Sequence, residues 1–337
     1  MVMEMKQDSE IVELTKESEN IEQRHISKEL PEQSRMSLRL FAKKILKNQA
    51  GFKTLLFMDP GEERYVRPPR EYEIPPFRKD MQYCTSNEKY LKPTRWCNPR
   101  EPEVVAIANE LGAYELSDYE FAEAAYWWVK TKLTNEMLPL NRVSTTLKRG
   151  TGTCFHLSSV WIALCRAAGI KARYKSFNML LPDHLVTTDP EKKNEMSTGN
   201  MFNNGTPEGE VEVLIDGTWI VGHVAMRPEL LARCHLPINR FGEDAIDLIF
   251  KLIPGTIKRY ESIPFDMGIR MKVLMSLFPA AMERAGLVIL KEMREGKEII
   301  EEVGGWEAYD RTAREKIGRS LQTVEPEDHE ALVFIDR

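Results

Sequence analysis

The sequence lacks any uninterrupted apolar stretch that approaches the roughly 20 residues needed to cross a bilayer. It also lacks a basic excess: the formal net charge at pH 7 is −5 over 337 residues, whereas proteins that bind nucleic acid usually carry a positive surplus. The first residues are acidic and contain no apolar core of the kind found in secretory signals. These absences predict a cytoplasmic protein with no transmembrane segment and no nucleic-acid partner.

Cysteine is scarce, and the motifs that bind cofactors are missing. The five cysteines form an odd set without a C-x-x-C spacing, which disfavours a disulfide framework and a zinc ribbon. The chain contains neither a GxxxxGK[ST] loop nor a GxGxxG loop after a strand, the motifs that bind nucleotides. We therefore expect no metal and no cofactor.

Composition divides the chain into four predicted regions. Residues 1–35 are an acidic, flexible tail, with nine Asp or Glu against five Lys or Arg, which accounts for −4 of the net charge. Residues 36–89 combine an amphipathic helix with a proline-rich strap. Residues 90–238 carry the periodicity of the core, and residues 239–337 are mainly helical in pattern. The N-terminal or C-terminal helices would offer a surface to a protein partner.

The strongest chemical signal lies in RGTGTCFHLSSVWIALCRAAGIKARYKSF, residues 149–177. Gly150 and Gly152 permit a tight turn before a helix. Thr153 can cap that helix, which places Cys154 in its first turn. Because the positive end of a helix dipole favours a thiolate, the pattern predicts a lowered Cys154 pKa and a nucleophilic role. The alternative is a buried, unreactive thiol in the cap region.

This segment resembles the transglutaminase-like superfamily, whose members typically read glycine, one residue, catalytic cysteine, and then a helix that ends in a pattern close to "ALCRAAGIKARY". The stretches "VVAIANEL", "SDYEFAEAAYWWVKTKL" and "GEVEVLIDGTWIVGH" resemble the family's helices and hairpin in order, and the resemblance covers about residues 90–235. It implies an α+β, papain-like core, in which a helix-borne cysteine packs on an antiparallel sheet, with a helical C-terminal extension. It also implies thiolate attack on a carbonyl carbon, as in protein cross-linking, amide or peptide hydrolysis, and deglycosylation.

The hairpin departs from the family pattern at the two positions that matter most for catalysis. Family strands usually read H-x-W-x-E-V, followed by a turn, a tryptophan, and an aspartate four residues beyond it. Aligned on the Glu-Val pair and the tryptophan, this chain has Glu208 where the histidine is expected and His223 where the aspartate is expected. The acid and the imidazole are exchanged.

Three interpretations of this exchange remain open. His223 could be the general base with Glu208 orienting it, since opposite residues on adjacent antiparallel strands lie about 5 Å apart. Another histidine could serve instead, namely His156, His184 or His235, although His156 would point away from the thiol. The site could also be degenerate and bind a ligand without turnover.

Two further features of the sequence carry expectations. Glu208, Glu210 and Glu212 share one face of a strand, which would be solvated if that strand lay at a sheet edge. The polar segment 182–207 is too long for an ordinary connection, so we expect it to lie over the cleft and gate access of the substrate.

The sequence therefore predicts a cysteine-dependent hydrolase or acyltransferase that acts on an amide or peptide bond through a thioester intermediate. Its catalytic residues would be Cys154, His223 and Glu208, and its partner an amide-containing or peptide substrate. The alternative is a catalytically degenerate transglutaminase-like protein that binds a peptide, a metabolite or a partner protein without turnover.

Overall fold

The structure is a computed structural model that describes residues 53, 56–59, 61–180, 206–245, 251–252 and 255–322. The predicted tail at residues 1–35, the amphipathic helix that follows it, and residues 182–205 of the predicted gating loop lie outside the described residues. The chain divides into two compact units. The first comprises the described residues up to Arg227 together with Asn239–Leu290, and the second comprises Pro228–Ile238 together with the described residues from Lys291 onward.

Helices and antiparallel strands follow one another in a mixed, α+β order. The helices are α1 (Pro102–Glu110), α2 (Asp118–Lys132), α3 (Val143–Arg149), α4 (Cys154–Ala167), α5 (Pro228–Arg233), α6 (Phe265–Leu277), α7 (Pro279–Glu302) and α8 (Trp306–Gln322). The strands are β1 (Thr134–Asn135), β2 (Thr151–Gly152), β3 (Ala172–Leu180), β4 (Thr206–Ile215), β5 (Thr218–Gly222), β6 (Lys251–Leu252) and β7 (Lys258–Tyr260).

Helix α2 begins where the sequence predicts, at a capping box. The Ser117 backbone N–H donates to the Glu120 carboxylate over 3.0 Å, and the Glu120 N–H donates to the Ser117 hydroxyl over 3.3 Å. This hydrogen bonding lowers the Glu120 pKa, because Ser117 donates to the ionised form. The helix that lies beside the candidate site is therefore fixed at its start by local chemistry.

Helix α4 forms the centre of the hydrophobic core. Every residue of α4 except Cys154 is buried. Trp161 packs against Tyr126 and Phe241, with ring centroids 5.2 and 5.8 Å apart, and its Nε1 donates to the Ala122 carbonyl over 3.1 Å. This packing holds the helix rigidly and so fixes the position of the cysteine at its first turn.

Strand β4 is an interior strand of the main sheet. The order is β5-β4-β3-β6, all antiparallel, and β7 also pairs with β3. Gly209 lets α4 approach β4 closely, since a Cβ at this position would lie 3.1 Å from the Phe155 ring. Val211 and Val213, on the same face as Gly209, are fully buried. The opposite face of β4 carries the three glutamates.

Those glutamates correct the expectation of a solvated edge. Glu208, Glu210 and Glu212 are only 8%, 0% and 6% exposed, because β4 has a neighbouring strand on each side. Glu210 pairs with Lys175 Nζ at 2.8 Å, and Glu212 pairs with one arginine from β3 at 2.6 Å and one from β7 at 3.0 Å. Buried carboxylates require such partners, since an unpaired charge in the interior is strongly destabilising.

Residues 61–100 contain no helix and only one isolated bridge. Polar side chains hold this segment against the rest of the first unit. The Arg67 guanidinium donates to the Glu136 carboxylate at 2.8 and 2.9 Å, a bidentate pair, and the Tyr72 hydroxyl donates to the Leu147 carbonyl at 2.6 Å.

The second unit is built on a close helix contact. Gly296 of α7 lies so near α5 that a Cβ there would come within 1.8 Å of the Glu229 carbonyl oxygen. From α8, the buried Asp310 carboxylate accepts the Ile238 N–H at 2.8 Å. The unit thus combines one tight backbone approach with a buried polar bond.

The described residues contain neither a membrane-spanning helix nor a metal-binding cluster. No single helix in that set is long and apolar enough to span a bilayer; α6 and α7 reach the threshold only together, across a 92° bend. Within the same residues, no group of three His, Cys, Asp or Glu side chains is arranged to hold a metal ion.

Candidate active site

Cys154 is the first residue of α4, as the sequence predicts. Helix α3 ends at Gly150 in the left-handed region, with φ 82°, where glycine carries no steric penalty. Gly152 allows the His156 side chain to pack closely against the backbone, because a Cβ at position 152 would lie 2.4 Å from that side chain. Thr153 is extended and precedes the helix. The two glycines turn the chain sharply into α4, and Cys154 is the one residue of this helix that is not fully buried.

The Cys154 thiol lies beside the Glu208 carboxylate. Burial raises the pKa of the thiol well above its ordinary value, and the charge and hydrogen bonding of Glu208 raise it further. The backbone N–H groups of Gly209 and Phe155 lower the pKa, but their effect is smaller. The prediction of a lowered pKa from the helix dipole is therefore wrong: burial and a neighbouring carboxylate outweigh the dipole. At neutral pH the sulfur carries its proton.

His223 immediately follows β5, and its side chain is fully buried. Its Nε2 lies 3.3 Å from Glu208 Oε1, and that oxygen also accepts the Gly209 N–H at 3.0 Å. Glu208 is thus the group that meets both the thiol and the imidazole. The structure brings the three predicted residues together in the order thiol, carboxylate, imidazole.

The backbone of His223 is held by three buried side chains, Tyr126, Lys130 and Asn239, which we call the His223 clamp. The His223 carbonyl accepts from Lys130 Nζ at 3.0 Å and from Asn239 Nδ2 at 3.3 Å, and the Tyr126 hydroxyl lies 3.3 Å away. Lys130 Nζ also donates to Asn239 Oδ1 at 2.8 Å, and the Tyr126 hydroxyl donates to the Asn239 carbonyl at 2.7 Å. The clamp fixes the backbone immediately after β5, and so fixes the position from which the His223 side chain extends.

Glu210 is the next carboxylate on the strand face of Glu208. Burial raises the pKa of Glu210, while the neighbouring His223 and Lys175 side chains act to lower it. For Lys175, burial lowers the pKa, but the Glu210 and Asp244 carboxylates together raise it above its ordinary value. Glu210, Lys175 and Asp244 therefore influence one another's pKa values on this face of the sheet.

The other candidate histidines do not join this group. His156 is buried, its Nδ1 accepts the Thr153 N–H at 3.1 Å, and burial together with the nearby Arg149 charge lowers its pKa to about 3. It is neutral at physiological pH and forms part of the helix start. His235 belongs to the second compact unit, and His184 lies outside the described residues.

Three other cysteines have the surroundings of packing residues. Cys97 and Cys165 are fully buried, and burial raises the pKa of both, to about 11 for Cys97. Burial likewise raises the pKa of Cys234 to about 12. None of these thiols is prepared as a thiolate.

The His223 clamp was not predicted from the sequence. Lys130 did carry a signal, because it follows Tyr126 by four residues on the inner face of the apolar helix α2, where a lysine needs oxygen partners. Asn239 gave no local signal, since it lies 109 residues from Lys130 along the chain.

Residues 105–221, 117 of the 337, match the transglutaminase-like superfamily, so the resemblance stated from the sequence is confirmed. Together with the mixed helices and antiparallel sheet, this match makes the region a transglutaminase-like core of α+β, papain-like fold. It supports a protein of the cysteine-dependent hydrolase or transferase kind.

None of the curated proteins compared with the chain matches its sequence. Among solved structures, the chain is similar to a candidate cysteine protease from Cytophaga hutchinsonii, at 16% identity and a TM-score of 0.32. The match covers 55% of this chain and 56% of that one, so it spans little more than half of the other protein.

Proposed function

We propose that this protein is a cysteine-dependent hydrolase or acyltransferase that acts on an amide or peptide bond through a thioester. Cys154 is the nucleophile, Glu208 the group that exchanges protons with it, and His223 the residue that orients Glu208. The observation that carries the proposal is the position of the Glu208 carboxylate, which lies 3.3 Å from His223 Nε2 and whose charge and hydrogen bonding raise the pKa of the Cys154 thiol. The roles of acid and imidazole are thereby exchanged relative to the family order.

In the first half-reaction, the protonated thiol is activated at the moment of attack. The Cys154 S–H proton passes to the Glu208 carboxylate while sulfur bonds to the carbonyl carbon, and the C=O electrons move to oxygen. The Cys154 backbone N–H, at the start of α4, is the expected donor to this oxyanion. When the oxyanion collapses, the C–N bond breaks, the protonated Glu208 returns its proton to the leaving amine, and a thioester remains.

In the second half-reaction, water or an amine acceptor attacks the thioester. The attacking group gives its proton to Glu208, the C–S bond breaks, and the sulfur recovers a proton from Glu208. His223 donates its Nε2–H to the carboxylate throughout, which holds its orientation in the buried site. Each cycle leaves the enzyme as it began.

The raised pKa of the thiol favours a second candidate, a transglutaminase-like protein that binds a peptide or amide ligand without turnover. A pre-formed thiolate is the usual mark of a catalytic cysteine, and burial and Glu208 oppose it here. Under this candidate, the cleft beside Cys154 contributes shape and hydrogen bonds alone.

Alkylation of Cys154 by iodoacetamide as a function of pH, together with turnover of a peptide library followed by mass spectrometry, separates the candidates. Wild-type Cys154 should react slowly below pH 9, because burial and the neighbouring carboxylate both disfavour the thiolate. Glu208→Gln removes that charge, so alkylation at pH 8 should become about tenfold faster for each unit by which the pKa falls. Turnover should nevertheless drop by about 10² or more, because the proton acceptor is lost.

Two variants serve as controls for this experiment. Glu115→Gln, which removes an exposed carboxylate, should change neither rate. Cys154→Ala should abolish both alkylation at this position and any acyl-enzyme mass. Unchanged turnover in Glu208→Gln would rule out the proposed proton acceptor. Absence of turnover and of acyl-enzyme in the wild type, with equal ligand binding by Cys154→Ala, would establish the second candidate instead.

A further inference from the structure

A cavity of about 560 Å³ opens in the first unit, between the turn at Arg95 and Trp96, the segment 140–145, and helix α6. This volume falls within the range of about 300–1,000 Å³ that small-molecule sites occupy. We call it the Arg95 pocket. Its lining residues are Arg95, Trp96, Leu140, Asn141, Arg142, Thr145, Phe265, Gly268, Ile269 and Lys272.

Aromatic rings hold a guanidinium at this pocket. The Arg95 guanidinium carbon lies 4.7 Å from the centroid of the Trp96 ring and 4.9 Å from that of Phe265. Stacking against two rings restricts the side chain and leaves the planar fork of N–H donors pre-organised. A guanidinium prepared in this way suits carboxylate and phosphate oxygens.

The Trp96 indole supplies a second hydrogen-bond donor in the lining of the Arg95 pocket. Trp96 is only 8% exposed, and among the described residues its Nε1–H has no hydrogen-bond partner. Buried indole N–H groups normally find an acceptor, so this one has capacity for a ligand oxygen. Gly268 allows the arrangement, because a Cβ there would lie 2.9 Å from the Trp96 ring.

The charged side chains that the described structure places in the lining are all positive. Arg142, which precedes α3, and Lys272, on the exposed side of α6, join Arg95 in the lining. None of the ten residues that the described structure places in this lining is acidic. Cations that converge on a cleft with apolar walls concentrate anions there. Leu140, Ile269 and the aromatic rings supply the apolar walls.

We propose that the Arg95 pocket binds a small organic anion, in which an oxyanion group, carboxylate or phosphate, is joined to a flat apolar body. The cationic groups and the Trp96 N–H bind the oxyanion, and the rings and aliphatic side chains contact the body. The lining contains none of the residues proposed for catalysis, so this proposal does not depend on turnover at Cys154.

Calorimetric titration of the full chain with phenyl phosphate and with benzoate tests the proposal and distinguishes the two oxyanions. A ligand of this size should bind with a Kd of about 1 mM. Inorganic phosphate, which lacks the apolar body, and benzyl alcohol, which lacks the charge, should both bind more weakly. Raising the ionic strength should weaken the binding of the charged probes.

Matched variants locate the binding. Lys272→Gln, at an exposed position, should weaken binding of the better probe by about twofold to fivefold, and the double variant with Arg142→Gln should weaken it further. Lys132→Gln removes an exposed lysine that is not in the lining and should bind as the wild type does. Equal affinity in the wild type and the double variant would overturn the proposal. So would tighter binding of benzyl alcohol, or the absence of binding by both organic anions.

Discussion

The carboxylate of Glu208 lies 3.3 Å from the His223 imidazole, and after burial it is the group that most raises the pKa of the Cys154 thiol. An imidazolium next to sulfur would stabilise a thiolate in the resting enzyme, whereas a carboxylate in that place disfavours it. Under the proposed function, the reactive form of Cys154 therefore arises only as the substrate carbonyl is attacked. This protects the free site from alkylation and oxidation, both of which require the thiolate.

His156 gives a prediction at the scale of one residue. Its pKa is about 3 in the folded protein against 6.5 unfolded, so the unfolded state binds more protons between these values. The contribution of neutral His156 to the free energy of unfolding is fully present above pH 6.5 and is lost as the pH falls toward 3. The loss is about 2 kcal/mol by pH 5. His156→Gln keeps an acceptor for the Thr153 N–H and does not titrate, so its stability should fall less between pH 7 and pH 5.

Urea unfolding at the two pH values measures this difference. His235→Asn, which removes an exposed histidine, should retain the wild-type dependence on pH. An equal loss of stability in wild type and His156→Gln would show that another group causes the acid sensitivity.

At the scale of elements, the His223 clamp joins α2, the end of β5 and the chain at Asn239. It positions the imidazole through the backbone and not through the ring. Lys130→Met retains the aliphatic length of the side chain but leaves two buried oxygens with fewer donors. We expect a loss of unfolding free energy of about 2–4 kcal/mol, since hydrogen bonds from a charged group contribute about 1.5–3 kcal/mol each.

Chemical denaturation of Lys130→Met and of Lys132→Met tests the clamp. Lys132 lies on the same helix and is exposed, so its substitution should cost less than about 0.5 kcal/mol. Similar stability of the two variants would mean that the buried ammonium contributes little.

Local features of the helices could be predicted from the sequence, whereas features that depend on distant segments could not. The start of α4 at Cys154 and the capping box of α2 follow from residues within one turn of each other, so local pattern suffices. The alternation of β4 and the alignment with the family predicted that Glu208 and His223 lie near each other, and the structure places His223 Nε2 3.3 Å from Glu208 Oε1. The burial of the β4 glutamates was not predicted, because some of their partners lie in distant segments: the Ala245 N–H donates to Glu210, and Arg259 pairs with Glu212. The raised pKa of Cys154 was not predicted for the same reason, because it depends on Glu208, which lies in a segment distant along the chain.

For the molecule as a whole, the compact units do not follow single intervals of sequence. Pro228–Ile238 leaves the first unit to pack with residues beyond 291, and the chain then returns to the first unit at Asn239. A composition profile along the chain cannot detect such a return, because it averages over neighbours in sequence and not in space.

Gly296→Ala tests the integrity of the second unit. The added Cβ would meet the Glu229 carbonyl at 1.8 Å, so α5 and α7 must move apart at a cost of about 3 kcal/mol. Hydrogen exchange should accelerate at the amides of α5 and α8, while the alkylation rate of Cys154 stays at the wild-type value. Glu298→Ala, at an exposed position of α7, is the control and should leave both unchanged. Equal acceleration throughout the chain would show that the two units unfold as one.

The exchanged positions of Glu208 and His223 constrain how such a site can change by mutation. Glu208→His alone would place two imidazoles together and remove the carboxylate from the sulfur. His223→Asp alone would gather three acids, with Glu208 and Glu210, in a buried space that holds one imidazole now. Only the double replacement conserves the set of one acid and one base. Each step should be unfavourable by itself and acceptable with the other, so we expect reciprocal epistasis between the two positions.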